Sequence, residues 1–373
     1  MMNEAKSVAI LGTRGYPSFY GGFETAVRHL APYLADHGWS VTVYGRPGSR
    51  GASDDEADPR IEVVSTRGIE SKSLSTISYG FTGSFDLARR RRHDVVLVMN
   101  VANGYFLPFL RARGIPTLVN VDGMEWEREK WGRVAKKVFL GGAALTARWA
   151  DEIVVDSEVI GERWLSRWGR NGTFIPYGGS PANASSSPPL GLTAGGYVLI
   201  VARLVPENSI PEILATVPRL PVHVPVVLVG SSGYGGELED RARSLDSEYS
   251  NFHWLGHVKD DGLLHSLWQN AGVYVHGHSV GGTNPALVQA MALGAPTTAR
   301  DTPFNREVMG AGASYWSDAA SLEESVLQIV ESQALQKRLR ALAIERAQRQ
   351  YTWELVCGAY DRALTGLVDR SRR

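Results

Sequence analysis

The chain has 373 residues, long for one core, and at about 150 residues per domain two are expected. Lys+Arg and Asp+Glu both number 39, so no net field recruits nucleic acid or a membrane surface, and attraction for an anionic ligand has to be local. The single cysteine, Cys357, excludes an internal disulfide framework and a cysteine-rich metal site. With no secretion signal visible and no apolar run near the ~20 residues that span a bilayer, a soluble, cytoplasmic protein is expected.

Ser7 to Leu11 reads as a short strand running into Gly12-Thr13-Arg14-Gly15, a loop whose glycines permit close backbone approach and whose Arg14 suits a phosphate. Phe23, Val27, Leu30 and Leu34 then recur at helical spacing, with Glu24 in the first turn where the helix dipole favours an acid, and Ser40 to Tyr44 is the next strand. Strand, glycine loop, helix, strand opens a doubly wound parallel sheet. It is not the dinucleotide fingerprint: Tyr16-Pro17 follow Gly15, and Gly21-Gly22 come only at the end of a longer loop, which argues against a nicotinamide enzyme.

Asp54, Asp55, Glu56 and Asp58 of the Gly48 to Pro59 loop read as solvated acids rather than metal ligands. Arg89 to Arg92 close a helix, where cations suit the dipole, before a strand from Val95 to Met99. Thr117 to Val121 is a further strand, and DGMEWEREKW, Asp122 to Trp131, stands at its carboxyl edge, where open parallel sheets bind ligands. Its acids and tryptophans suit a sugar, carboxylates accepting hydroxyl protons and an indole covering a ring face. The competing reading makes Asp122 a helix cap and the tryptophans core. Arg133, Lys136 and Lys137 beside Val138, Phe139 and Leu140 form a surface helix, with a peripheral contact at the inner face of the plasma membrane as second reading. After Asp151 to Asp156 (strand), Gly161 to Trp168 (helix) and Thr173 to Tyr177 (strand), Gly178 to Gly196 is rich in Gly, Ser, Ala and Pro, a linker.

The second half restarts the pattern with Tyr197 to Val201, a polar loop, Ile210 to Val217, Val224 to Gly230 and Phe252 to Leu255, so two open sheets with a cleft between them are expected. Its focus is Tyr274 to Glu307. Val273 to Val275 reads as a buried strand end, Gly277 to Gly282 as a loop that lets backbone approach a ligand, and Asn284 to Leu293 as a helix. Asn is a good cap and Pro285 suits the first helical position, so the free N–H groups at Gly282, Thr283 and the first turn form an anion-attracting end. His278, Ser279, Thr283 and Asn284 crowd that turn, while His276 ends a buried strand and reads as core. The tail is helical: Ser321 to Val330, Leu335 to Arg349, and a stripe of Trp353, Val356, Tyr360 and Leu364.

Four separated segments, GTRGYPSFYGGFET, NVDGMEWEREKWG, VARLVPEN and HGHSVGGTNPALVQAM, resemble in order, across nearly the whole chain, a bacterial rhamnosyltransferase-like branch of the retaining family-four glycosyltransferases. The resemblance implies the GT-B fold, an α/β architecture of two Rossmann-like doubly wound parallel-sheet domains facing across a cleft. Here residues 1–178 would hold the acceptor, 179–196 the linker, 197–350 the nucleotide-sugar donor, and 351–373 a helix crossing back. It further implies a nucleotide-sugar co-substrate, dTDP-linked and carrying a deoxysugar such as rhamnose, no other cofactor and no metal. The acceptor is a glycan, lipid-linked or small molecule, and the oligomeric state stays open.

Carried over residue by residue, Arg203 is the diphosphate-binding arginine, whose fork suits two phosphate oxygens, and Asn208 stands where the family at large has a lysine. Gly281, Gly282, Thr283 and Asn284 meet donor sugar and phosphate. Of two family glutamates eight positions apart, the first falls on Gly281 and the second, a ribose ligand, on Gln289. Donor contacts are also expected from Gly12, Arg14, Gly15, Gly22, His278 and Ser279, with Gly230, Ser231 and Ser232 near the base. Acceptor contacts are expected from Asp122, Glu125, Trp126 and Arg128. In a same-face transfer the leaving diphosphate helps remove the acceptor proton, so catalysis falls to Arg203 on the diphosphate and Asp122 at the acceptor hydroxyl. The alternatives are a non-catalytic nucleotide-sugar binder, suggested by Gln289, and a nucleotide-sugar 2-epimerase using His276, His278 and Asp122.

Overall fold

The computed structural model describes residues 6–18, 21–48, 57–69, 75–90, 93–128, 131–182 and 187–373. Asp54, Asp55 and Glu56 of the acidic loop, Arg91 and Arg92 of the arginine run, and Glu129 and Lys130 lie outside them. The chain divides into two compact units, Met1–Tyr177 with Trp353–Arg373, and Gly178–Thr352.

In the first unit β1 (Lys6–Leu11), α1 (Gly22–Asp36), β2 (Trp39–Gly45), β3 (Glu62–Ser65), α2 (Ser75–Arg90), β4 (Val95–Met99), α3 (Leu107–Ala112), β5 (Thr117–Asn120), α4 (Arg133–Trp149), β6 (Glu152–Val155), α5 (Glu158–Trp168) and β7 (Thr173–Phe174) follow one another. Short apolar runs alternating with helices force a crossover between strands, and the seven strands pair in parallel in the order β3-β2-β1-β4-β5-β6-β7. β4, VVLVM, is buried at every residue, as a strand covered on both faces must be. The strand order reverses between β1 and β4, and Gly12 sits there at φ 95°. A Cβ on it would lie 2.2 Å from the Met99 carbonyl oxygen.

The second unit repeats the plan with β8 (Val198–Val201), α6 (Ile210–Thr216), β9 (Val226–Val229), α7 (Glu237–Glu248), β10 (Phe252–Trp254), α8 (Asp261–Asn270), β11 (Val273–His276), α9 (Pro285–Ala292), β12 (Thr297–Arg300), α10 (Pro303–Met309), β13 (Ala313–Trp316), α11 (Ala319–Val330) and α12 (Gln333–Gln350). Its six strands are parallel in the order β10-β9-β8-β11-β12-β13. α13 (Trp353–Ser371) then belongs to the first unit. Its Val356, Cys357, Tyr360, Leu364, Leu367 and Val368 share one core with Val8, Ile10 and Leu97 of the sheet and Val27, Leu30 and Leu34 of α1. Burial pushes the Cys357 thiol up to about 12, which leaves it unreactive at neutral pH.

The Gly178 to Gly196 stretch is not slack where it begins. Gly179 N–H donates to the Tyr351 carbonyl (2.7 Å), Gly179 bridges Thr352 in parallel, and a Cβ at Gly179 would stand 2.7 Å from the Ala292 Cβ of α9. Among the described residues no helix is long and apolar enough to cross a membrane.

Candidate functional site

In the second unit the residues singled out from the sequence lie at the carboxyl ends of adjacent parallel strands, where open α/β sheets take ligands. Arg203 follows β8, is exposed, and its guanidinium enters no hydrogen bond or ion pair among the described residues. Its carbonyl accepts the Asn208 Nδ2 (2.8 Å), and Asn208 Oδ1 lies 2.7 Å from His278 Nδ1, which places that ring's proton on Nδ1. Ser209 Oγ donates to the Gly277 carbonyl (2.8 Å), and Ser279 donates both N–H and Oγ to the Glu207 carbonyl (2.9 Å each). Asn208 therefore laces the loop after β8 to the loop after β11. A lysine could make the bond to Arg203 but could not accept from His278.

Gly277 lies so close to this lacing that a Cβ would stand 2.2 Å from the Asn208 carbonyl oxygen. Beyond it Gly281 adopts φ 106°, Thr283 is buried, and Gly282 is half-buried. Asn284 caps α9 through Oδ1 and the Ala286 N–H (3.0 Å), with Pro285 at the first helical position. His276 is buried against Tyr274, whose hydroxyl is 3.1 Å from its Nδ1, and burial holds its pKa down at about 3. Gly230 (φ 127°) closes β9: its carbonyl accepts the Trp254 indole N–H (2.8 Å), and a Cβ would stand 1.9 Å from the Ala202 oxygen.

Gln289, expected at the ribose, is engaged with the chain itself. Its Oε1 accepts the Ser180 N–H (3.0 Å) and its Nε2 donates to the Ser180 carbonyl (2.9 Å), so both ends of the carboxamide grip one peptide unit. A glutamate could take the first bond and not the second.

In the first unit the loop from Gly12 to Gly15 rests on a buried acid. Arg14 N–H donates to Glu24 Oε1 (3.1 Å), Gly15 N–H to Thr13 Oγ1 (3.2 Å), and Arg14 is itself exposed. Burial raises the Glu24 pKa, against backbone N–H groups and the Arg14 and Arg46 charges that lower it. Gly22 opens α1 behind Gly21 (φ 115°). A cleft beside this loop is lined by Gly12, Thr13, Arg46, Thr66, Thr76 and Tyr79.

Asp122 follows β5 and caps no helix; it holds a left-handed backbone, φ 57°. Its N–H donates to Asn120 Oδ1 (2.9 Å), and Asn120 Nδ2 donates to the Tyr360 hydroxyl of α13 (2.6 Å). Burial first, and then the charges of Asp122 and Asp156, push the Tyr177 phenol up. Asp156, buried just after β6, Tyr177 and Tyr360 read from the sequence only as strand ends and part of the tail's apolar stripe, not as neighbours of Asp122. The one local signal was a strand ending in Asp-Ser, parallel to the strand ending in Asp122-Gly123.

Three expected acceptor ligands are engaged otherwise. Glu125 is buried, accepts the Trp131 indole N–H (2.7 Å), and lies 2.6 Å from the Arg128 Nε in an ion pair too bent for a hydrogen bond. That pair commits Arg128 as well. Trp126 is buried edge-on against Trp168, ring centres 5.6 Å apart. These residues support the turn after β5.

Residues 21–178 match the glycosyl transferase 4-like domain, and residues 191–347 match the glycosyl transferases group 1 domain. The chain belongs to the GT-B glycosyltransferases. Similar solved structures include sucrose-phosphate synthase from Thermosynechococcus elongatus, 19% identical, covering 98% of this chain and 100% of that one at a TM-score of 0.82. Anabaena HepE in complex with UDP is 15% identical, with coverage of 97% and 100% and a TM-score of 0.74, and it was also solved in complex with UDP-glucose. At these identities the likeness is one of fold. No curated protein matches the sequence.

Proposed function

We propose that this glycosyltransferase moves a deoxysugar such as rhamnose from a dTDP-linked donor to a glycan or lipid-linked acceptor, with retention of configuration and without a metal. The observation that carries the reading is Arg203, an exposed guanidinium without a protein partner among the described residues, whose backbone is tied by Asn208 to the loop before α9. Such a fork matches two diphosphate oxygens. Anabaena HepE, of the same fold, was solved with UDP and with UDP-glucose, which supports a nucleotide-sugar donor.

In this mechanism Arg203, Arg14 and the N–H groups around Thr283 stabilise charge growing on the diphosphate, each such donor being worth about 2–4 kcal/mol. The departing phosphate receives the acceptor proton on the same face, and Asp122 orients the acceptor hydroxyl or takes its proton. Deoxyribose has one hydroxyl fewer than ribose, which fits a Gln289 already engaged with Ser180. That engagement also gives glutamine a structural purpose of its own. A 2-epimerase would need an acid in the cleft, and a His276 held neutral down to about pH 3 is a poor one.

The test is a panel of dTDP-, UDP- and GDP-sugars with EDTA present, followed by mass spectrometry for donor cleavage and by NMR for the anomer formed. Cleavage of dTDP-rhamnose with the anomer retained is the expected result. Cleavage of UDP-sugars alone, an inverted product or a demand for divalent metal would each overturn the corresponding part.

A further inference from the structure

α13 makes polar ties to the first unit's sheet at both of its edges. Trp39 Nε1 donates to Asp361 (2.7 Å) and Lys6 Nζ to Thr365 (3.0 Å), and Trp39 and Lys6 begin β2 and β1, at the amino edge. The tie from Asn120 to Tyr360 is at the carboxyl edge, on the last residue of β5, two residues before Asp122. Asp122 adopts φ 57°, a left-handed conformation that among L-residues is taken chiefly by Asn and Asp and that gathers at functional sites.

The surroundings here are a short chain of hydrogen bonds. Asp122 N–H is held by Asn120 Oδ1, a local bond that folds the turn. That bond requires the oxygen end of the amide to face Asp122, because the flipped amide would set N–H against N–H. With the amide so oriented, its nitrogen end donates to the Tyr360 hydroxyl, which anchors the side chain from the helix. Asn120 and Tyr360 are 3% and 2% exposed, so water is not at hand to replace either partner. Burial raises the Tyr360 pKa well above its ordinary value, which keeps the phenol neutral and the tie independent of pH over the working range.

We infer that Tyr360 is a positioning residue for Asp122: acting through Asn120, the C-terminal helix sets the backbone turn that holds the Asp122 carboxylate at the carboxyl edge of β5. The inference rests on the proposed role of Asp122 at the acceptor hydroxyl. Its consequence is that a residue near the end of the sequence controls turnover without touching substrate.

The experiment uses full-length protein with 13Cγ-labelled aspartate, the Asp122 signal being assigned by its disappearance in Asp122→Asn. In Tyr360→Phe the Asp122 signal should move and titrate at a different pH. For whichever sugar nucleotide the donor panel shows to be cleaved, kcat should fall by about 10²-fold while KM for the donor holds. Asn120→Ala, which cuts the same chain from the other end and leaves α13 intact, should displace the signal likewise and guards against a Tyr360→Phe protein that fails to fold. Thr365→Val, which breaks the amino-edge tie of the same helix, should leave both signal and kcat unchanged. An Asp122 signal that titrates identically in native, Tyr360→Phe and Asn120→Ala proteins would overturn the inference. Full turnover in Asp122→Asn would overturn the role of Asp122 instead, and the NMR titration would still decide the positioning.

Discussion

Replacing Arg203 by Gln removes a charge that the described fold does not use, so stability should change by less than about 0.5 kcal/mol while kcat/KM for donor cleavage falls by about 10²–10³. Thermal melts and initial rates check this together; a destabilised protein with unchanged rate would remove Arg203 from the site. His276 is the opposite case, a titrating group that the fold buries. Its folded pKa, about 3, lies below its unfolded value, so the unfolded chain binds the proton more readily. Stability from this group is complete above about pH 6.5 and is lost as pH falls toward 3, at about 1.4 kcal/mol per unit. Between pH 7.5 and 5.5 the native protein should therefore lose about 1.4 kcal/mol more than His276→Gln in urea unfolding. Equal losses would mean that His276 is protonated in the fold or shielded otherwise. Such single-residue environments were legible only in part. His276 reads as core from its strand, whereas Glu125, Trp126 and Arg128 stand where a sugar would be met. Their engagement depends on Trp131 and on Trp168, which a helix brings in from 42 positions along the chain in the case of Trp126 and Trp168.

Elements were legible where their chemistry is local. The Asn284-Pro285 start of α9 was readable because a cap and a first-turn proline act within three residues of each other. β4 and β5 were readable as continuous apolar runs, although β5 stops at Asn120: Val121 still donates to the Val154 carbonyl, and the chain then turns left-handed at Asp122. β3, EVVS, is a half-exposed edge strand, and TTAR in β12 and ASYW in β13 mix polar with apolar residues, so none carries a hydrophobic run. The grip of Gln289 on Ser180 spans 109 positions, and no periodicity announces it. It is testable at the level of the helix it anchors. Gln289→Glu loses the bond donated to the Ser180 carbonyl and sets a carboxylate against that oxygen, and should destabilise the second unit by about 1–3 kcal/mol. Chemical denaturation measures this, and a Glu variant as stable as the native protein would mean that the grip carries no weight.

At the scale of the molecule, the repeat of strand and helix declared two doubly wound parallel sheets, since each short apolar strand needs a crossover and a cover on both faces. The stripe of Trp353, Val356, Tyr360 and Leu364 declared that the tail packs; which core it joins is a tertiary fact that spacing does not hold. It joins the first unit, where six side chains of α13 are buried. At about 1.5–3 kcal/mol each their burial is comparable with the whole net stability of a domain, about 5–15 kcal/mol. Residues 1–177 alone should therefore fail to fold, while residues 178–352, which keep two apolar clusters of their own including Tyr351, should unfold cooperatively as an independent unit. Amide dispersion in NMR spectra of the two fragments separates the outcomes. Adding a peptide of residues 353–373 to the 1–177 fragment should restore its dispersion, because the helix supplies the missing face of the sheet rather than a covalent constraint. A dispersed spectrum for 1–177 without the peptide would mean that α1 and its sheet suffice, and that α13 covers a core already formed.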